Sequence, residues 1–192
     1  MLGFHALTGT DFTSSFNRKG KVKPLQLLSN STNSQKHINA LQSLASDVDV
    51  EGITSFVCAM YGEEAIDIDD VRYASFMRMN AVKKQNLQNG IRKMNCALLP
   101  PCSRTLRNHI KRSSYVTKMW KNAHEPIPTS GNNPLDYGWK LTDDCYQPDW
   151  FSGYQIPENL VMDSTNRNST VEHDNEIDDG AWTEDSYSED DS

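Results

Sequence analysis

The spacing of hydrophobic and polar residues along the chain predicts a protein made mainly of helices. After Asn33 or Ser34, either of which can cap a helix, apolar residues recur every three or four positions. These residues are Ile38, Leu41, Leu44 and Ala45. A second apolar stripe runs from Val50 to Tyr61 and stops at Gly62, a residue type at which helices commonly end. Two consecutive helices are therefore expected between residues 33 and 62.

Two more helices are expected further along the chain. Asp67 or Asp69 can cap a short helix whose apolar positions lie between residues 71 and 77. The Pro100-Pro101 pair breaks the chain before Ser103, which is expected to cap the longest helix, ending near Ala123. The stretch between these two helices, residues 82–95, is weakly patterned, and no state is assigned to it.

Strands are predicted at the two ends of this helical region. The apolar run from Leu2 to Leu7 predicts a strand that would leave Asp11 on a loop at its carboxyl end, where open α/β sheets place their sites. Because no partner strand is evident, we expect this segment to be poorly anchored or the protein to associate. Residues 137–141 and 146–150 predict a β-hairpin joined through the Thr142-Asp143-Asp144-Cys145 link. Its tryptophans can pack on the helices or stack on bases, and packing is the simpler expectation.

Composition and charge divide the chain into a body and a tail. Hydrophobic residues make up only 36% of the 192 residues and the mean hydropathy is −0.68, so part of the chain is expected to stay unfolded. The net charge is −7, and residues 163–192 contribute −10, which leaves +3 for residues 1–162. We expect this acidic tail to be disordered, with Trp182 and Tyr187 as candidate contacts for a protein partner.

The sequence also limits the compartment in which the protein acts. The stretch before Gly9 is too short to span a membrane and has no signal-peptide pattern. The four cysteines are scattered without the spacing of a zinc site. We therefore expect a reduced intracellular protein, nuclear or cytoplasmic, with no membrane partner.

Candidate chemistry concentrates between residues 11 and 23. Asp11 is a candidate metal ligand, although a single carboxylate does not hold a catalytic metal ion. The turn that follows can present backbone N–H groups and four cations to an anion. We take this turn as the candidate nucleic-acid-binding site, and its residues are Arg18, Lys19, Gly20, Lys21 and Lys23.

The longest predicted helix is also basic. Its cationic residues are Arg104, Arg107, Lys111, Arg112, Lys118 and Lys121. They can face phosphates, which would make binding depend on salt, or form the solvated outer face of an amphipathic helix. His109 in the same helix is expected to be a surface or packing residue rather than a catalytic one.

The segment Ala6-Leu7-Thr8-Gly9-Thr10-Asp11 resembles the Leu-Leu-Gly-Cys/Ser-Asp-Tyr element of flap-endonuclease and XPG-type 5′ nucleases. In that superfamily, which has a PIN-like α/β fold, the aspartate binds a metal ion and a Gly-x-Gly-x-x-x-Ala helix-hairpin-helix follows. Gly20 fits the second glycine of that hairpin, whereas Arg18 stands in place of the first glycine and Pro24 in place of the alanine. The resemblance implies that Asp11 would bind Mg²⁺ or Mn²⁺ if the chain is nuclease-like.

A second resemblance covers the chain from about Leu2 to Leu160. Its motifs are His5-Ala6-Leu7-Thr8-Gly9, Phe56-Val57-Cys58-Ala59-Met60-Tyr61-Gly62, Arg72-Tyr73-Ala74-Ser75-Phe76, Leu99-Pro100-Pro101-Cys102, Met119-Trp120 and Gly138-Trp139. In this order they resemble a family of uncharacterised, multi-copy animal proteins associated with transposable elements. Members of that family usually have a cysteine where Thr10 stands, and they carry a long amino-terminal portion with further aspartates.

Together these observations predict a mainly α-helical protein with a small β-hairpin. Residues 1–28 are expected to be the truncated edge of a PIN-like, flap-nuclease-like α/β domain with a helix-hairpin-helix remnant. Residues 29–162 would form a helical region ending in the hairpin, and residues 163–192 the acidic tail. The favoured function is a non-catalytic piece of a transposon-associated, nuclease-like protein with weak nucleic-acid binding. The alternatives are part of a divalent-metal 5′ nuclease whose other carboxylates lie upstream, and a protein-interaction module.

Overall fold

The computed structural model of the protein describes residues 1–30, 32–81 and 95–151. In these ranges the chain is mainly helical with one small antiparallel hairpin, as predicted. The α-helices are α1 (Leu2–Thr8), α2 (Val22–Asn30), α3 (Ser34–Ser43), α4 (Val50–Met60), α5 (Ile68–Ala81) and α6 (Ser103–Lys121). Two short 3₁₀ helices span Cys96–Leu98 and Pro134–Tyr137, and the strands are β1 (Trp139–Thr142) and β2 (Cys145–Pro148).

Helix α6 is the longest helix in the described ranges and contributes Leu106 and Ile110 to the core. It packs against α1 and α4, while α3 packs against α1, α2 and α4. The buried apolar side chains from these elements form one cluster that includes Leu7, Leu41, Phe56, Leu106 and Ile110. Burial of such side chains is the main force that holds the helices together.

The predicted strand at residues 2–7 is wrong, because these residues form helix α1. Leu2 and His5 are exposed whereas Phe4 and Leu7 are buried, which is the repeat of a helix and not the alternation of a strand. The expectation of poor anchoring is also wrong. A Cβ atom added at Gly3 would overlap the carbonyl oxygen of Leu41, so this glycine allows α1 to lie directly against α3.

Small hydroxylated residues line the face of α6 that contacts α1 and Leu44, the residue after α3. The buried hydroxyl of Ser113 donates to the carbonyl oxygens of His109 and Ala6, at 2.9 and 3.3 Å. Ser114 donates to the Leu44 carbonyl at 2.8 Å, and Thr117 donates to Ser113 at 2.7 Å. Small side chains let the helices approach closely, and the hydrogen bonds satisfy the polar atoms that this packing buries.

The predicted hairpin is confirmed at β1 and β2. Trp139 pairs with Pro148, and Thr142 pairs with Cys145 across the turn. Asp143 and Asp144 both have positive φ, at 50° and 59°, as a two-residue type I′ turn requires. Trp150 follows β2 and lies against helix α6, where the Arg112 guanidinium carbon is 5.2 Å from its ring centroid.

The four helices predicted from the pattern are confirmed, with shifts of a few residues at their ends. α5 is longer than expected, and the capping residue of α6 is Cys102 instead of Ser103. All but the last residue of the weakly patterned stretch 82–95, and the acidic tail at 163–192, lie outside the described residues. Within the described ranges, no helix has the length and apolar character needed to cross a membrane.

Candidate nucleic-acid interface

The basic segment forms a tight turn that leads into helix α2. The backbone N–H of Lys19 donates to the Phe16 carbonyl at 3.2 Å, and Arg18 and Gly20 both adopt positive φ, at 56° and 55°. Helix α2 then begins at Val22. Because of this geometry, the side chains of neighbouring residues point in different directions, and the cations of the predicted nucleic-acid-binding site do not all lie on the same surface.

Three of the predicted cations line one groove. The groove has a volume of about 520 Å³, and Arg18, Lys19 and Lys23 line it together with Tyr61 at the end of α4. The Lys19 ammonium lies 4.0 Å from the centroid of the Tyr61 ring. Among the described residues that line this groove there is no carboxylate. We call it the basic groove.

The electrostatics of the basic groove favour an anion. Burial lowers the pKa of Lys19, and the positive charge of Lys23 lowers it further. Both effects disfavour the charged ammonium, and the charge of an anion bound between these side chains would offset them. Burial also raises the pKa of Tyr61 to about 12, so its hydroxyl stays neutral and adds no negative charge near pH 7.

Lys21 and Gly20 have different places from the three groove cations. The Lys21 ammonium donates to the Gly9 carbonyl at 2.8 Å and lies 2.6 Å from His5 Nδ1, at the carboxyl end of α1. Its charge therefore interacts with helix carbonyls. Gly20 has no side chain and contributes one of the two left-handed residues of the turn.

Asp11, the candidate metal ligand, is exposed on the loop after α1. The loop is closed by a pair of backbone hydrogen bonds between Thr10 and Thr13, at 2.9 and 3.3 Å. No group of three or more His, Cys, Asp or Glu residues that could hold a metal ion occurs in the described ranges. Two-metal chemistry requires several converging carboxylates, so the described residues do not fit such a site.

By their spacing, five of the six basic residues of α6 lie on one side of the helix, and Arg112 does not. Arg112 is buried, and its Nη1 donates to the Gly138 and Asp149 carbonyls at 3.0 Å each, so its assignment to an outer basic face is wrong. Lys118 donates to the Tyr137 hydroxyl at 3.0 Å. Arg107 and Lys111 are exposed one helical turn apart.

His109 is a packing residue. Its ring is buried, and its Nε2 lies 2.8 Å from the Leu7 carbonyl. Because a carbonyl only accepts hydrogen bonds, Nε2 carries the proton and Nδ1 is left as an acceptor. Burial lowers the pKa of His109 to about 4, so the ring is neutral at physiological pH.

A second cavity, which the sequence did not indicate, lies beside the basic groove. It has a volume of about 240 Å³, and Phe16, Tyr61, Trp150, Thr105, His109 and Arg112 are among the residues that line it. We call it the aromatic pocket. Its walls come from residues that are up to 136 positions apart in the chain, so no local motif could predict it.

No protein-family model, curated protein or solved structure matches this chain. The geometry and charge of the basic groove and the aromatic pocket are therefore the basis for assigning a function.

Proposed function

We propose that the folded body of this protein binds nucleic acid through the phosphate backbone, with the basic groove as its contact surface. The observation that carries the proposal is the convergence of Arg18, Lys19 and Lys23 on one groove whose described lining has no carboxylate. Phosphate contacts by Lys and Arg supply most of the sequence-independent affinity of nucleic-acid-binding proteins. Arginine adds a planar guanidinium that can hold two phosphate oxygens at once.

The charge distribution along the sequence supports the same proposal. Within the first 46 residues Asp11 is the only acidic residue, whereas there are five basic ones. The surface built by this segment is thus more positive than the net charge of −7 suggests. A positive patch on an acidic protein attracts an anionic polymer over roughly one Debye length, about 10 Å at 0.1 M salt.

The proposed role is binding without catalysis. Asp11 is a single exposed carboxylate, and the described residues around it do not provide the further ligands that a nuclease metal centre needs. The ordered series of motifs from His5 to Trp139 supports placing the chain in the transposon-associated family, and the Gly9-Thr10-Asp11 segment supports a distant relation of that family to PIN-like nucleases. In this proposal the chain contributes affinity for nucleic acid to a nuclease-like protein.

The test is a fluorescence anisotropy titration of labelled oligonucleotides with the full chain at several salt concentrations. The logarithm of the association constant should fall with the logarithm of salt, by about 0.7 for each phosphate neutralised on a single strand. The triple variant R18A/K19A/K23A should bind more weakly, and its slope should be flatter by up to about 2, because three cations are lost.

The matched control removes three exposed lysines outside the basic groove, in the variant K36A/K121A/K140A. Both variants have the same net charge, so a difference between them reports the location of the cations. Equal losses in the two variants would show that binding is diffuse and would overturn the groove as the site. Absence of binding at low salt would overturn the function and favour a protein-interaction module. Degradation of the labelled strand that needs Mg²⁺ or Mn²⁺ and Asp11 would favour the nuclease alternative.

A further inference from the structure

The aromatic pocket and the basic groove are neighbouring parts of one surface. The loop before α2 lines both, because Phe16 and Asn17 face the pocket while Arg18 and Lys19 face the groove. Tyr61 lines both cavities as well. A single ligand that fills both would therefore cross the Tyr61 ring.

The chemistry of the aromatic pocket differs from that of the basic groove. Three aromatic side chains, Phe16, Tyr61 and Trp150, line it together with Leu99 and the two prolines that precede α6. Trp150 remains 55% exposed although the Arg112 guanidinium packs against its ring, so much of its surface is accessible to a ligand. Such a lining is suited to a flat, apolar ring.

Polar groups at the wall of the pocket are held in fixed positions. Arg112 is almost fully buried and is fixed by its bonds to the Gly138 and Asp149 carbonyls. His109 is fixed by its bond to the Leu7 carbonyl, which leaves Nδ1 as an acceptor. An apolar cavity with a few fixed polar groups is the usual form of a ligand site.

The size of the pocket limits its occupant. Its volume of about 240 Å³ is below the range of about 300–1,000 Å³ that is typical for drug-sized ligands. One ring system fits such a space, and a chain of linked sugars or a helix does not. Proteins that bind single strands combine a cationic groove for the backbone with aromatic side chains on which bases stack.

We propose that this surface binds single-stranded nucleic acid, with phosphates in the basic groove and one unpaired base in the aromatic pocket. The inference rests on the proposed function and adds to it the class of substrate, a single strand or a strand end. In a duplex the bases are stacked and paired, so they would have to be extruded before one could enter the pocket. Single strands should therefore bind more tightly than duplexes of equal phosphate number.

The test compares three labelled oligomers in anisotropy titrations of the full chain: a twelve-nucleotide thymidine strand, an abasic strand of equal length, and a duplex. The association constant for the thymidine strand should be about ten times that for the abasic strand, because stacking of one base on an aromatic side chain contributes about this factor. Equal affinity for thymidine and abasic strands, or for strand and duplex, would overturn the pocket assignment while the groove proposal stands.

Variants at Trp150 separate the pocket from the groove. Trp150→Ala should reduce affinity for the thymidine strand to near that for the abasic strand and leave abasic affinity unchanged, whereas Trp150→Phe should keep most of the difference. Tyr146→Ala is the control, because Tyr146 is an aromatic of similar exposure on the same hairpin and is outside the pocket lining. The groove variant R18A/K19A/K23A should instead weaken both strands equally. If Trp150→Ala has a native circular dichroism spectrum and still binds the thymidine strand more tightly than the abasic strand by the same factor, the inference is contradicted. If no strand binds to the unmodified protein, the proposed function itself is overturned.

Discussion

At the scale of single residues, the buried histidines couple stability to pH. His109 is buried against the Leu7 carbonyl with its pKa lowered to about 4 from an ordinary value of 6.5, mainly by burial. Burial also lowers the pKa of His37, whose two ring nitrogens are buried and have no hydrogen-bond partner among the described residues. A histidine that stays neutral in the folded state favours unfolding once the unfolded chain can take up a proton.

The first prediction concerns acid stability. Above pH 6.5, His109 is neutral in both the folded and the unfolded chain. As the pH falls from 6.5 to about 4, only the unfolded chain binds a proton at this residue, so the free energy of unfolding should decrease over this range. The free energy of unfolding should fall by about 3 kcal/mol in total, because the pKa of His109 differs by roughly two units or more between the unfolded and the folded chain. Urea unfolding at a series of pH values measures this loss.

The variant His109→Gln keeps an N–H group for the Leu7 carbonyl and does not titrate in this range. Its free energy of unfolding should depend less on pH between 6.5 and 4 than that of the unmodified protein. His124→Gln is the matched control, since the His124 side chain is 73% exposed. The assignment to His109 fails if both variants have the same pH dependence as the parent.

At the scale of secondary-structure elements, α1 is a seven-residue helix that is stabilised from outside. Isolated helices shorter than about 12 residues are marginal in water, and carbonyls at a helix end need partners. Thr13 donates to the Ala6 carbonyl at 2.6 Å, His109 contacts the Leu7 carbonyl, and Lys21 donates to the Gly9 carbonyl. These partners, together with packing on α6, explain why a short apolar run is helical.

The second prediction separates two lysines of the basic turn. Lys21→Met should lower the free energy of unfolding by about 1–2 kcal/mol, because it removes a charged donor from the end of α1. Lys23→Met should leave stability within about 0.5 kcal/mol, because Lys23 is exposed, but should weaken oligonucleotide binding. Urea unfolding and anisotropy titration of both variants measure the two effects. A loss of stability in Lys23→Met, with none in Lys21→Met, would contradict the assignment of Lys21 to the end of α1 and of Lys23 to the basic groove.

The sequence predicted the elements whose signals are local. The stripes of α3 and α4, the proline boundary of α6 and the Asp143-Asp144 turn of the hairpin all lie within one window of the chain. The state of residues 2–8 could not be predicted in this way, since a short apolar run fits a strand or a buried helix equally well. The residues that select the helix, Thr13, Lys21 and His109, are not part of the run.

At the scale of the whole molecule, the candidate site was predictable in its charges and not in its shape. The cluster of Arg18, Lys19 and Lys23 is visible in the sequence because these residues lie within six consecutive positions. The position of Tyr61 in the basic groove and the aromatic pocket both depend on tertiary contacts. These contacts join the loop before α2 to α4, α6 and the segment after β2. Arg112 shows the opposite error, because its charge suggested an exposed position and its bonds to backbone carbonyls keep it buried.

The third prediction follows from the distribution of charge between body and tail. Removal of residues 163–192 changes the net charge from −7 to +3, so the remaining body should bind oligonucleotides more tightly at low salt. The difference should shrink as salt rises from about 0.1 M towards 1 M, where the Debye length falls from about 10 Å to about 3 Å. Anisotropy titrations of the two proteins over this range measure the effect.

A full-length variant in which Asn and Gln replace the eleven acidic residues of the tail is the control. It should behave as the truncated protein does if charge is responsible. Unchanged affinity in both variants would show that the tail does not compete for the cations of the body.

The backbone at Arg18 sets the stability of the turn against the charge that it presents. An exposed arginine with φ of 56° costs folding free energy, about 1 kcal/mol or more relative to glycine, which has no Cβ to clash. Selection for stability alone would therefore favour glycine at position 18, so the strained turn is the cost of placing a guanidinium in the basic groove.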